Sequence, residues 1–191
     1  NHSKYSIINH KKEEHKEKIF DNNNDQTFSN LSSLLKCFEI AKKENSDLIY
    51  FVEDDYLHSL NSIIEMIFSY EKFYSLFSQD IILLPSDYPY LYTKDENTKV
   101  YLGEKKHWRL VSESLVTFMT SKTLIDKHFS ELEIMGLEWT DPWEKPLHNI
   151  YKFYPCLSPI PSLAIHCANI NSIFGISPLV NLKKIWDDNE V

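Results

Sequence analysis

The segment Asp47-Leu48-Ile49-Tyr50-Phe51-Val52-Glu53 is an apolar run without polar alternation. A strand that carries apolar side chains on both parities must bury both faces. That pattern belongs to a central strand of a sheet covered by helices. The run ends in three consecutive carboxylates, Glu53, Asp54 and Asp55. Adjacent like charges repel one another and lose solvation wherever they are partly buried. Such a cluster at a strand end suits a hard cation or a ligand rich in hydrogen-bond donors.

The flanking segments alternate between strand and helix patterns. Lys4 to Asn9 reads as a strand, and residues 10–26 as a polar loop. Phe28, Leu31, Leu35, Phe38 and Ala41 recur at helical spacing, with Thr27 or Ser29 as the cap and an end near Asn45. Leu60, Ile63, Ile64, Ile67, Phe68 and Tyr70 mark a second helix. Asp80 to Pro85 is another buried strand. Val100 to Leu102 is a short one. His107 to Thr120 is long and β-prone, with Trp108, Leu110, Val116 and Phe118 on one parity. Ser121 caps a helix that runs through Met135, and Gly136 is placed to end it. Thr140 to Glu144 reads as a helix start, with Asp141 as cap, Pro142 in the first turn and Glu144 completing a capping box. Pro161 to His166 is a short strand ending in histidine. Ser177-Pro178 opens a last helix containing Leu182, Ile185 and Trp186. The expected fold is α/β, a three-layer sandwich around a mixed, mostly parallel central sheet.

Bulk properties bound the rest. The length of 191 residues suits one domain, and a hydrophobic share of 42% supplies a core. A formal net charge of -8 argues against a nucleic-acid partner, which needs a basic patch. An acidic protein acting on a phosphorylated substrate needs a metal to offset repulsion. With only 3 glycines, a glycine-rich phosphate loop is excluded. Cys37, Cys156 and Cys167 form no paired framework, so a reducing, cytoplasmic compartment is expected. The longest apolar runs are too short to span a bilayer, which leaves peripheral membrane contact as the expected limit. The chain starts at Asn1 without methionine, and a single domain truncated at its N-terminus is expected.

The order of elements, with Glu53-Asp54-Asp55 closing a hydrophobic strand, resembles the nucleotide-diphospho-sugar glycosyltransferases of the GT-A fold, particularly the family 2-like members. The match runs from about Phe28 to His166. The resemblance implies that Asp55 contacts Mn²⁺ or Mg²⁺ bridging the two phosphates of a sugar donor. It places Glu53 and Asp54 near the ribose or base. His166, late in the chain on a short strand, matches a second metal or diphosphate contact. Asp141 best matches the carboxylate base of inverting members, with Glu138 second. The implied partners are a nucleotide sugar donor and a saccharide or lipid-linked hydroxyl acceptor. The family begins with a strand and loop that embrace the nucleotide base, followed by a second strand, whereas only Lys4 to Asn9 precedes the helix at Phe28.

Structural alternatives stand beside each assignment. The triplet also fits a solvated strand-to-helix loop, Asp141 a pure N-cap, and His166 a satisfied core histidine. Two other functions share the residues. One is a two-metal nucleotidyl or phosphoryl transferase, which needs a further inward carboxylate, with Asp87 as the candidate. The other is a non-catalytic carbohydrate- or partner-binding domain of the same fold.

Overall fold

The computed structural model describes residues 7–20, 24–95, 97–168 and 170–190. Strand β1 (Leu48–Phe51) follows helix α1 (Asp25–Lys43). Then come β2 (Tyr56–His58), α2 (Ser62–Phe77), β3 (Ile82–Leu83), β4 (Val100–Leu102), β5 (His107–Val111) and β6 (Phe118–Ser121). The chain continues through α3 (Lys122–Lys127), α4 (Phe129–Leu137), α5 (Lys145–Ile150), β7 (Cys156–Ile160), β8 (Ala164–His166) and α6 (Leu182–Asn189).

The fold is α/β, with a six-stranded mixed sheet in the order β1-β6-β3-β7-β5-β4 and a small β2-β8 pair. The sheet is not mostly parallel. Only β3 and β7 run parallel; the other four neighbouring pairs are antiparallel. The reason lies in the segment 107–120, which reads as one long strand and is broken at residues 112–117. Its first half, β5, makes a hairpin with β4 and pairs with β7. Its second half, β6, inserts between β1 and β3 against both.

Among the described residues β1 pairs on one side only, with β6, so it lies at the end of the sheet rather than at its centre. Only Phe51 of β1 is buried, and the following Val52 is 49% exposed. Side chains of β3 alternate between two apolar clusters. Ile82 joins Phe38, Phe118, Leu132 and Leu147 from the α1, α4 and α5 side. Leu83 joins Met66, Phe73 and Trp108 from the α2 side.

Several helix boundaries differ from the pattern reading. Asn24, not Thr27 or Ser29, caps α1, accepting from the Gln26 and Thr27 amides at 2.9 and 3.2 Å. On α2 most of the predicted apolar face is exposed, Ile64 and Phe68 among it, while the predicted Tyr70 is buried together with Met66 and Phe73. Glu65 goes inward with them because its carboxylate accepts the Lys105 and Lys106 amides, at 3.0–3.1 Å. Ser121 does cap α3, accepting from the Leu124 amide at 2.9 Å. Gly136 lies inside α4 and does not end it; a Cβ there would sit 2.6 Å from Leu35 Cβ, so the glycine serves close packing of α4 on α1. Asn181 caps α6, four residues beyond the predicted start at Ser177. Ile7 to Asn9 form no strand, and the rest of the predicted strand, Lys4 to Ser6, lies outside the described residues. No helix among the described residues is long and apolar enough to cross a membrane.

Candidate functional site

The chain leaves β1 at Phe51 and turns through Glu53, Asp54 and Asp55 into β2. Thr117, fully buried just before β6, holds the turn at Glu53 from both ends. Its Oγ1 accepts the Glu53 amide at 3.0 Å and donates to Glu53 Oε2 at 3.1 Å. Glu53 is half-buried, Asp54 is exposed and Asp55 is half-buried. Burial pushes the Glu53 carboxyl up to about 7; the Thr117 hydroxyl opposes the rise, and Asp55 and Glu144 add to it by repulsion.

Antiparallel pairing of β2 with β8 places Tyr56 opposite His166. Their rings stack at 5.0 Å, and His166 Nε2 lies 3.0 Å from Asp55 Oδ2. The Cys167 amide donates to the Asp55 carbonyl at 2.7 Å and closes the pair. Two buried atoms stay without a hydrogen-bond partner, Asp55 Oδ1 and His166 Nδ1. Buried polar atoms are rarely left so, and both are capable metal ligands. Among the described residues no three His, Cys, Asp or Glu side chains converge to hold an ion by themselves. The two that do converge suit Mg²⁺ or Mn²⁺ held by one or two protein ligands with phosphate and water completing the shell.

The predicted bases fall on the segment between α4 and α5. Asp141 and Glu138 are both exposed. The helix start expected at Asp141 forms at Lys145 instead, with Pro146 in its first turn. Residues 140–144 are held as a turn because the Thr140 hydroxyl donates to the Pro142 and Trp143 carbonyls, and Trp143 Nε1 donates to the Met135 carbonyl at 2.8 Å. Glu144, read from the sequence only as part of a capping box, makes no cap hydrogen bond. It is half-buried, its carboxyl is raised by burial, and it lies near enough to Glu53 for their charges to repel. No local pattern marks it, because its neighbour Glu53 is 91 positions away in sequence.

Asp87 is fully buried and occupied. Arg109 Nη2 donates to its Oδ1 at 2.7 Å, and Tyr92 donates to its Oδ2. Trp108 and Tyr88 are core residues, whereas Trp139 and Trp143 stack on each other at 5.0 Å.

A groove of about 800 Å³ runs from the triplet between α1 and β1, lined by Gln26, Asn30, Ser33 and Cys37 on one side and by Tyr50, Val52, Val116 and Trp143 on others. The site therefore offers clustered carboxylates along a cleft of ligand size, with the His166 imidazole against Asp55. No family model, curated protein or solved structure matches the chain.

Proposed function

We propose that this chain is a metal-dependent glycosyltransferase of the GT-A type, moving a sugar from a nucleotide diphosphate donor to a hydroxyl acceptor with inversion. The observation that carries the reading is the Asp55–His166 contact, 3.0 Å, at a groove that Asp55 lines, with Asp55 Oδ1 and His166 Nδ1 buried and without a hydrogen-bond partner. Asp55 and His166 would hold the Mn²⁺ or Mg²⁺ that arrives with the donor; the ion supplies charge to stabilise the departing diphosphate. Glu53, locked by Thr117, and Asp54 face the donor's ribose or base. A carboxylate across the site removes the acceptor proton as its oxygen attacks the anomeric carbon. Asp141 holds that role by sequence position; the repulsion between Glu144 and Glu53 favours Glu144.

The two apolar clusters on either side of β3 support a three-layer arrangement. Asp87, the further carboxylate that a two-metal phosphoryl transferase was expected to use, is spent on Arg109 and Tyr92. The free thiols suit a cytoplasmic setting.

Titration calorimetry with UDP-, GDP- and dTDP-sugars, with and without Mn²⁺, tests the reading. One donor should bind, and only with the ion. Absence of binding to every donor overturns it; glycan binding without nucleotide binding assigns a carbohydrate-binding domain instead.

A further inference from the structure

Gln26, Asn30, Ser33 and Cys37 recur at i, i+4, i+7 and i+11, a single stripe along α1. All four are exposed and all face the groove. The Gln26, Asn30 and Ser33 side chains make no hydrogen bond to any described residue, whereas the opposite face of α1 is committed through Ser32 to His10, His15 and the Lys12 carbonyl. The other wall of the groove is the outer edge of β1, which among the described residues pairs only with β6. In an antiparallel strand every second residue directs its N–H and C=O to the far side, so this wall presents peptide groups without a strand partner. Leu34, Ile49 and Phe51 add apolar surface. The cleft thus has apolar surface, two polar edges and a cluster of carboxylates at one end.

A nucleoside matches that distribution. Its base has apolar faces and a rim of donors and acceptors, and its ribose carries hydroxyls. We infer that the groove between α1 and β1 holds the nucleoside end of a nucleoside diphosphate, with Gln26 and Asn30 hydrogen-bonding the base or ribose while the diphosphate lies at Asp55. This placement rests on the donor-site reading and names the part of the site that distinguishes one donor from another. It puts base recognition on α1, a segment in which the sequence pattern marks only a buried apolar face.

Cys37 provides a reporter inside the groove, being exposed where Cys156 is buried and Cys167 half-buried. Its alkylation by N-ethylmaleimide is followed by peptide mass spectrometry in Mn²⁺ with UDP, GDP, dTDP or inorganic pyrophosphate. At a nucleotide concentration ten times its dissociation constant, one nucleoside diphosphate should slow Cys37 labelling about tenfold by mass action, while bound pyrophosphate leaves the rate unchanged. Asn30→Ala should weaken that nucleotide about tenfold, the worth of one hydrogen bond, and leave pyrophosphate affinity as it was. Nucleotide binding with unaltered Cys37 labelling overturns the placement while the donor site stands. Failure of both nucleotides and pyrophosphate to bind in Mn²⁺ overturns the donor-site reading and this placement together.

Discussion

His166 Nε2 lies 3.0 Å from Asp55 Oδ2, although the two residues are 111 positions apart. Register explains the meeting. β2 pairs with β8 so that Tyr56 faces His166, and Asp55 is the residue just before Tyr56. The contact uses one imidazole nitrogen and one carboxylate oxygen, leaving the second of each buried and open to a further partner. An ion shared by the two residues would sit between His166 Nε2 and an Asp55 oxygen in place of that contact, with the Tyr56 ring and the Cys167 amide holding the residues in position.

Asp55→Asn separates that metal role from the structural one. The amide keeps a hydrogen bond to the imidazole but loses the charge. Donor affinity in Mn²⁺ should fall at least roughly tenfold, the minimum typical even of a ligand's supporting partner. The thermal midpoint should stay near that of the parent. Calorimetry and a melting curve on the same sample give both numbers; equal donor affinity would remove Asp55 from the site.

The base assignment divides between two carboxylates. Glu144→Gln should lower the rate of sugar transfer or donor hydrolysis by about a hundredfold or more, the usual share of a general base, with donor affinity retained. Asp141→Asn should turn over like the parent, because Asp141 is exposed and its side chain caps no helix. The reverse pattern of rates returns the role to Asp141.

Thr117 is fully buried and makes two hydrogen bonds to Glu53. Thr117→Val preserves shape but strands the Glu53 amide and carboxylate. Urea unfolding should show a loss of about 1–3 kcal/mol, and Thr117→Ser should recover most of it. A valine variant as stable as the parent would mean that the Glu53 turn relaxes to water.

The loop 112–117 that carries Thr117 is pinned to α5 by His148. His148 Nε2 lies 3.0 Å from the Ser114 amide, from which the neutral ring accepts, and 3.1 Å from the Ser114 carbonyl, to which a protonated ring donates. Burial lowers the His148 pKa below 6.5, outweighing the Ser114 carbonyl, which raises it. With the folded value depressed, the unfolded chain takes up the proton first. Stability is then complete above pH about 6.5 and declines as pH falls below it. Unfolding free energies between pH 5 and 7.5 should show this decline, and His148→Gln should flatten it. An equal slope in the variant would assign the pH dependence to another group.

Gly136→Ala tests the close approach of α4 to α1. A Cβ at that position would stand 2.6 Å from Leu35 Cβ and 2.8 Å from Leu35 Cα. Alanine gains about 1 kcal/mol in helix propensity, but the backbone it meets cannot rotate away, and overpacking costs about 1–3 kcal/mol. A net loss in thermal stability is expected; a gain would mean that the two helices separate without penalty.

Local sequence was enough to locate most elements. Leu48 to Phe51, Val100 to Leu102, the helix capped by Ser121 and the short strand ending at His166 all follow from patterns a few residues long. The triplet Glu53-Asp54-Asp55 was visible for the same reason, since its charges adjoin an apolar run. Strand direction and rank were not visible. An apolar run reads alike whether it is central or at an edge, and only the strand order shows β1 at the end of the sheet, with Val52 exposed beside the groove. Glu144, Thr117 and the Gln26–Asn30 stripe meet the triplet only through contacts between distant segments. Periodicity records which way a side chain faces on its own element; which carboxylate, hydroxyl or amide lies opposite is set by packing and register, and these exist only once the chain has folded.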